Sequence, residues 1–385
     1  MESLGEKFKA LSITRRVQPD EPTYLLDLSL QTVSGPGLVA VCCSNLSIRL
    51  HSEDSLRLLW EYQGHSGAIC GVHFAHTSPD LLFSGSADGT VRTWDVRCPG
   101  SEAAQVFRSD SSHHFCSFDV SCSDVVLCAG TEQLDEDDSF LVFWDARMAK
   151  EKNGGVLGVY SESHSDDITQ VRFHPRNADR LASGSTDGLV NVFDLSLGAE
   201  EEALLATFNC GSSASSVCWA GKDLNQLLCL SHDEGLHLWD LGQLDTDEPL
   251  TLFSAADARS LTSLSDEGTL DYFVGGTWLE DAGRLLVLGG TNNGDIHLLE
   301  CSEKGLCLLR SLQGGHSSTV RCFLWDPAVE ALLTGGEDAQ LLLWKPGAEE
   351  FTSGKRDTLK SASALKLKSR PHKKHGSKRN KKLEV

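Results

Sequence analysis

The sequence has no apolar run long enough to cross a bilayer among its 385 residues. Its opening residues, MESLGEKFKALSITRR, are polar and charged and lack the apolar core of a secretory signal. No membrane partner is expected. The thirteen cysteines are odd in number and show no CxxC spacing, which argues against a zinc site or a disulfide framework. Several lie inside strand-like apolar runs, such as Val41-Cys42-Cys43 and Leu228-Cys229-Leu230, where a free thiol acts as a small hydrophobe. A reducing compartment, cytoplasm or nucleus, follows. There is no Gly-rich phosphate loop, because the glycines of Ser84-Gly85-Ser86 and Gly335-Gly336 sit where strands enter hairpins. His113-His114 and the acidic run Asp135–Asp138 have no second cluster at ligand spacing, so the run reads as a solvated loop. Neither metal nor cofactor is expected.

Positive charge is scarce over most of the chain. The net charge is −21, yet from Thr352 onward 12 Lys/Arg face only Asp357 and Glu384. That leaves 22 basic and 53 acidic residues in the remainder, so a body of net −31 carries a tail of net +10. The two parts should attract different partners.

What the chain does have is a repeat. Gly64 to Asp95 reads GHSGAICGVHFAHTSPDLLFSGSADGTVRTWD, with three short apolar runs at Ile69–Phe74, Leu81–Ser84 and Thr90–Asp95. The last two are joined by Asp88-Gly89, a dipeptide suited to a tight hairpin. Ser163–Asp194 and Gly315–Lys345 repeat the pattern, with 29, 29 and 28 residues from the leading His to the closing aromatic. Such a unit buries its faces only by stacking on copies of itself.

Weaker copies fill the rest. The third strands end at 51, 95, 145, 194, 240, 300 and 345, at intervals of 44, 50, 49, 46, 60 and 45. Most lie near the ~40–45 residues of a four-stranded propeller blade. The expected fold is all-β: a single seven-bladed propeller over 24–347, an N-terminal arm over 1–23 and a disordered basic tail over 348–385. The first blade is expected at Tyr24–Leu30, Leu38–Ser44, Ser47–His51 and Leu56–Tyr62. In the sixth, the long lead-in Ala255–Gly276 reads as an insertion or an irregular first strand. No strand follows Pro346, so the segment Phe8–Val17 is expected to supply the outer strand of the last blade and close the ring.

Gly64-His65 with Trp94-Asp95, Ser163-His164 with Phe193-Asp194, and Gly315-His316 with Trp344-Lys345 resemble the repeats of the WD-repeat family. The likeness covers roughly residues 8–347. It implies a buried hydrogen-bonded tetrad of His, Ser/Thr, Asp and an aromatic in each complete blade. Those would be His65, Ser84, Asp88 and Trp94 in blade two, and His316, Thr334, Asp338 and Trp344 in blade seven. Blade four would use His164, Ser183, Asp187 and Phe193, the last without an N–H. Blades one, three, five and six lack the full set. These residues are structural rather than catalytic, since a His/Asp/Ser set that recurs at repeat spacing is unlike a single reaction centre. No enzymatic activity is expected.

The consecutive endings Trp94-Asp95-Val96-Arg97 and Trp144-Asp145-Ala146-Arg147 resemble those of substrate receptors recruited to cullin-based ubiquitin ligases, which would make Arg97 and Arg147 adaptor contacts. The plainer alternative is that each arginine pairs with acid groups beside its blade. In the tail, Lys373, Lys374, Lys378, Arg379, Lys381 and Lys382 read as a nuclear import signal. Weaker readings are nucleic-acid contact, for which no aromatics interleave, and a plain solubilising tail. The sequence therefore points to a monomeric protein-binding scaffold of the nucleus, with the nucleolus as a narrower address and the cytoplasm left open. Basic proteins suit the acidic body, and a ligase substrate receptor is the alternative function.

Overall fold

In a computed structural model the described residues are 4–347, apart from 19–21, 36, 99, 101, 110–112, 135–138, 149–154, 243–249 and 263–268. The tail assigned to 348–385, with its lysines and arginines from Lys373 to Lys382, lies outside them, as does the acidic run Asp135–Asp138.

The strands form seven antiparallel sheets of four. In the first six, the chain runs from the innermost strand outward, then crosses to the innermost strand of the next sheet. The inner strands touch in a continuous ring, from Leu25–Leu30 of blade one round to Val320–Asp326 of blade seven, which contacts blade one again. This is a closed seven-bladed propeller.

Burial follows position within the blade. Second strands such as Leu38–Cys43 are buried at every residue, because neighbouring blades cover both faces. They therefore read as continuous apolar runs rather than alternating ones. Outer strands such as Val156–Tyr160 alternate between exposed and covered positions. The core lies between blades: Trp94, 1% exposed, packs with Ile48 and Tyr62 of blade one and with Leu82 of its own sheet.

Ring closure uses both ends of the propeller. Leu11–Val17 pairs antiparallel with Leu341–Pro346, from Leu11 opposite Pro346 to Val17 opposite Leu341. The strand is shorter than the expected Phe8–Val17, because Leu4–Lys9 is a helix. The helical turn lets Phe8 drop into the core, where it is fully buried and meets Trp325 edge to face at 5.1 Å. An extended chain would turn alternate residues to opposite sides of the sheet.

Blade one begins at Leu25 and its outer strand at Leu58. The lead-in to blade six resolves into distinct parts. Leu250–Ala255 is the outer strand of blade five, Arg259–Leu261 is a short 3-10 turn, and Tyr272–Leu279 is an inner strand of eight residues whose register shifts between Phe273 and Gly275.

Candidate interaction faces

The antiparallel order places the turns between second and third strands, together with the crossings between blades, on one rim of the ring. The remaining turns lie on the opposite rim. The histidines and aspartates of the expected tetrads gather on the first, here called the connection rim.

In blade two, Trp94 Nε1 donates to Ser84 Oγ at 2.8 Å, His65 Nε2 lies 2.8 Å from the same oxygen, and His65 Nδ1 lies 2.9 Å from Asp88 Oδ2. Burial holds the His65 imidazole below its ordinary pKa, although Asp88 opposes this, so the ring is neutral at pH 7. The indole can only donate, so Ser84 accepts from it and its own hydroxyl donates a hydrogen bond to His65 Nε2. His65 Nδ1–H then donates to Asp88. Burial would raise the Asp88 carboxyl, but the bonds from His65, Thr90 and the Ser66 N–H outweigh it and hold the group well below the usual carboxylate range. The tie clamps the blade crossing onto the hairpin turn. Gly67 in that crossing lies so close that a Cβ would meet the Asp88 nitrogen at 2.6 Å.

Blade seven repeats the arrangement. Trp344 Nε1 donates to Thr334 Oγ1 at 3.0 Å, and His316 bridges Thr334 at 2.8 Å and Asp338 at 3.0 Å. Burial pushes the Asp338 carboxyl up, but His316 pulls it further down, to about 2. In blade four, His164 reaches Ser183 at 2.7 Å and Asp187 at 3.0 Å. Phe193 is fully buried and gives no N–H. Asn191 occupies part of the gap, its Nδ2 donating to Ser163 O at 2.7 Å and lying 3.3 Å from His164 Nε2. Sequence reasoning missed Asn191, which only the strand register puts opposite Ser183.

Arg97 and Arg147 sit on the opposite rim. Each guanidinium forks onto the aspartate two residues before it, Arg97 on Asp95 at 2.9 and 2.6 Å and Arg147 on Asp145 at 2.8 and 2.6 Å. Arg97 also meets Asp80 at 3.2 Å. Both side chains stay about two-thirds exposed, at 65% and 68%. That rim carries further cations, among them Arg57, Arg176, Lys222 and Lys304.

The connection rim carries both signs too, with Arg108 exposed at the end of its strand. Glu132, Asp167, Asp233 and Asp295 enter no salt bridge among the described residues. Glu132 and Asp167 stand near the mouth of the central channel. Burial, helped by these two carboxylates, pushes the Cys116 thiol up to about 12. The channel is a cavity of about 630 Å³ lined by the inner strands, including Asp27, His73, Arg172 and Trp325. Asp27 and Asp119 tie blades together there, accepting from Val72 N at 2.9 Å and Phe173 N at 2.7 Å. The sequence offered a signal for both, an acid inside an otherwise apolar first strand. His113 stacks on Phe140 at 4.9 Å, and no group of three or more metal-ligating side chains occurs among the described residues.

A closed ring of seven four-stranded blades, with His-Ser/Thr-Asp ties on its connection rim, defines the WD-repeat propellers, a fold that typically serves as a non-enzymatic scaffold. The WD domain, G-beta repeat pattern matches residues 56–95, 155–194 and 306–345. A WD repeat-containing protein 89 homolog of Dictyostelium discoideum is 27% identical over 84% of this chain and 83% of its own length. The WD repeat-containing protein GTS1 of Arabidopsis thaliana is 31% identical over 80% of this chain and 78% of its own. The DNA damage-binding protein 2 of Mus musculus is 25% identical over 71% and 57%. The chain belongs to the WD-repeat family, and its sequence is similar to WD repeat-containing protein 89.

Proposed function

We propose that the chain is a nuclear protein-interaction scaffold that takes basic proteins on its connection rim. The observation that supports this most is the pair of carboxylates near the channel mouth, Glu132 and Asp167, in a body of net charge −31. Unpaired carboxylates around a rigid channel mouth attract and orient a cationic segment, with strength that falls as salt screens them. The test is binding of an Arg/Lys-rich peptide to the full chain over a salt series, beside Glu132→Lys/Asp167→Lys. Affinity should fall with salt and fall further in the variant. Binding indifferent to both overturns the reading.

The nuclear address rests on the lysines and arginines of Lys373–Lys382 and accords with the name of the mouse relative. A chain ending at Gly347, tagged to a size that blocks passive entry, should stay in the cytoplasm. Retention in the nucleus would remove the tail from the account. A second reading is kept for the opposite rim, where Arg97 and Arg147 remain exposed on successive blades: recruitment to a cullin-based ubiquitin ligase. Co-precipitation with the ligase adaptor that Arg97→Ala/Arg147→Ala abolishes would establish it, and an unchanged yield would discard it.

A further inference from the structure

Blade five departs from its siblings at the tie itself. Its strand pairing sets Val217 opposite Cys229 and Trp239 opposite Leu227. Blade two sets Val72 opposite Ser84 and Trp94 opposite Leu82 in the same way. On that register Cys229 holds the place of Ser84. Cys210 precedes the inner strand at Ala214 as His65 precedes the strand at Ile69, so it holds the place of the histidine. The spacing agrees: the nineteen residues from His65 to Ser84 and from His164 to Ser183 recur from Cys210 to Cys229.

The side chains at these two positions meet in blades two and four, His65 Nε2 with Ser84 Oγ at 2.8 Å and His164 Nε2 with Ser183 Oγ at 2.7 Å. In blade five the same register brings the two thiols into one buried core. Cys210 is 4% exposed and Cys229 fully buried, both in a core shared with Trp239. Cys210 Sγ also lies 2.8 Å from Ser212 O and 3.1 Å from Gly188 O. Asp233, at the Asp88 position, has no imidazole to hold and stands exposed.

We propose that Cys210 and Cys229 are a redox modification site, forming a reversible disulfide where other blades place a His–Ser hydrogen bond. Cys210 is the attacking group. The neighbouring Cys229 lowers its thiol to about 7, while Cys210 and burial hold Cys229 well above the ordinary thiol value. With hydrogen peroxide as oxidant, Cys210 sulfur attacks one oxygen, the O–O bond breaks, and water leaves a sulfenic acid. Cys229 sulfur then displaces the sulfenic oxygen, which departs as a second water. Two thiols and one peroxide become one disulfide and two waters. Forming a bond of about 2.05 Å asks a shift of the crossing after Asn209, which lies outside the strands.

The full-length protein, treated with graded peroxide, quenched in acid, unfolded and alkylated, is mapped by mass spectrometry without reduction. A linked Cys210–Cys229 peptide pair should appear, vanish on treatment with dithiothreitol, and persist in Cys98→Ser/Cys307→Ser, which lacks the two exposed thiols. Amide exchange in the crossing at 210–213 should slow in the oxidised protein. Recovery of both cysteines as alkylated thiols after Cys98 and Cys307 have oxidised overturns the proposal. So does either one joined to a different cysteine.

Discussion

Blade two fastens its hairpin turn to the preceding crossing through His65, Ser84, Asp88 and Trp94, whereas blade five builds the same four-stranded sheet with Cys210, Cys229 and an exposed Asp233. Both keep a nearly buried tryptophan at the end of the third strand, Trp94 and Trp239 at 1% and 4% exposed. Apolar packing between blades is therefore common to the two, and the polar tie is not. The difference teaches that the tie does not make a blade. It fixes one turn against one crossing, and its loss is tolerated where the groups left behind are thiols, which are cheap to bury, or carboxylates free to face water.

The sharpest way to break this comparison is Asp88→Ala. It leaves the His65 Nδ1–H and the Ser66 N–H without their acceptor, and should destabilise the protein by about 1–3 kcal/mol in urea unfolding. Next comes acid. A carboxyl held down in the folded state stabilises above its unfolded pKa, and that contribution is lost as pH falls through the folded one. For Asp338, at about 2, the loss runs from roughly pH 4 down to pH 2. The melting temperature of wild type should fall more steeply over that window than that of Asp338→Asn. His65, lowered by burial, acts in the same direction from about pH 6.5 downward, because charging it opposes folding.

A smaller effect tests the aromatic member. Trp94→Phe copies the blade-four aromatic into blade two without its Asn191, removing one donor to Ser84, and should cost about 1 kcal/mol by chemical denaturation. The least is expected of Asp233→Ala, within about 0.5 kcal/mol of wild type, since this carboxylate is exposed and ties nothing. A loss there equal to that of Asp88→Ala would show that the two blades do not differ as described.

Much of this was legible in the chain. The Asp88-Gly89 turn and its copies punctuate the strands, and Gly89 and Gly188 do take positive φ, at 73° and 82°. Closure by the N-terminal segment was readable because the last unit ends at Pro346 without an outer strand. The helix at Leu4–Lys9 was not, since Phe8 satisfies a strand's alternation as well as it does a helical turn. The pair Cys210–Cys229 was hidden for a different reason. Read singly, each is a small hydrophobe among thirteen cysteines, and only the strand register shows that they inherit the positions of a histidine and a serine.

Pairing Leu11–Val17 with Leu341–Pro346 has a consequence for biogenesis. During translation the first strand emerges long before its mate, and the edge it must cover does not exist until the last blade leaves the ribosome. Six blades can assemble with the circle still open, so completion is a late, single event that joins the first-made strand of the propeller to its last.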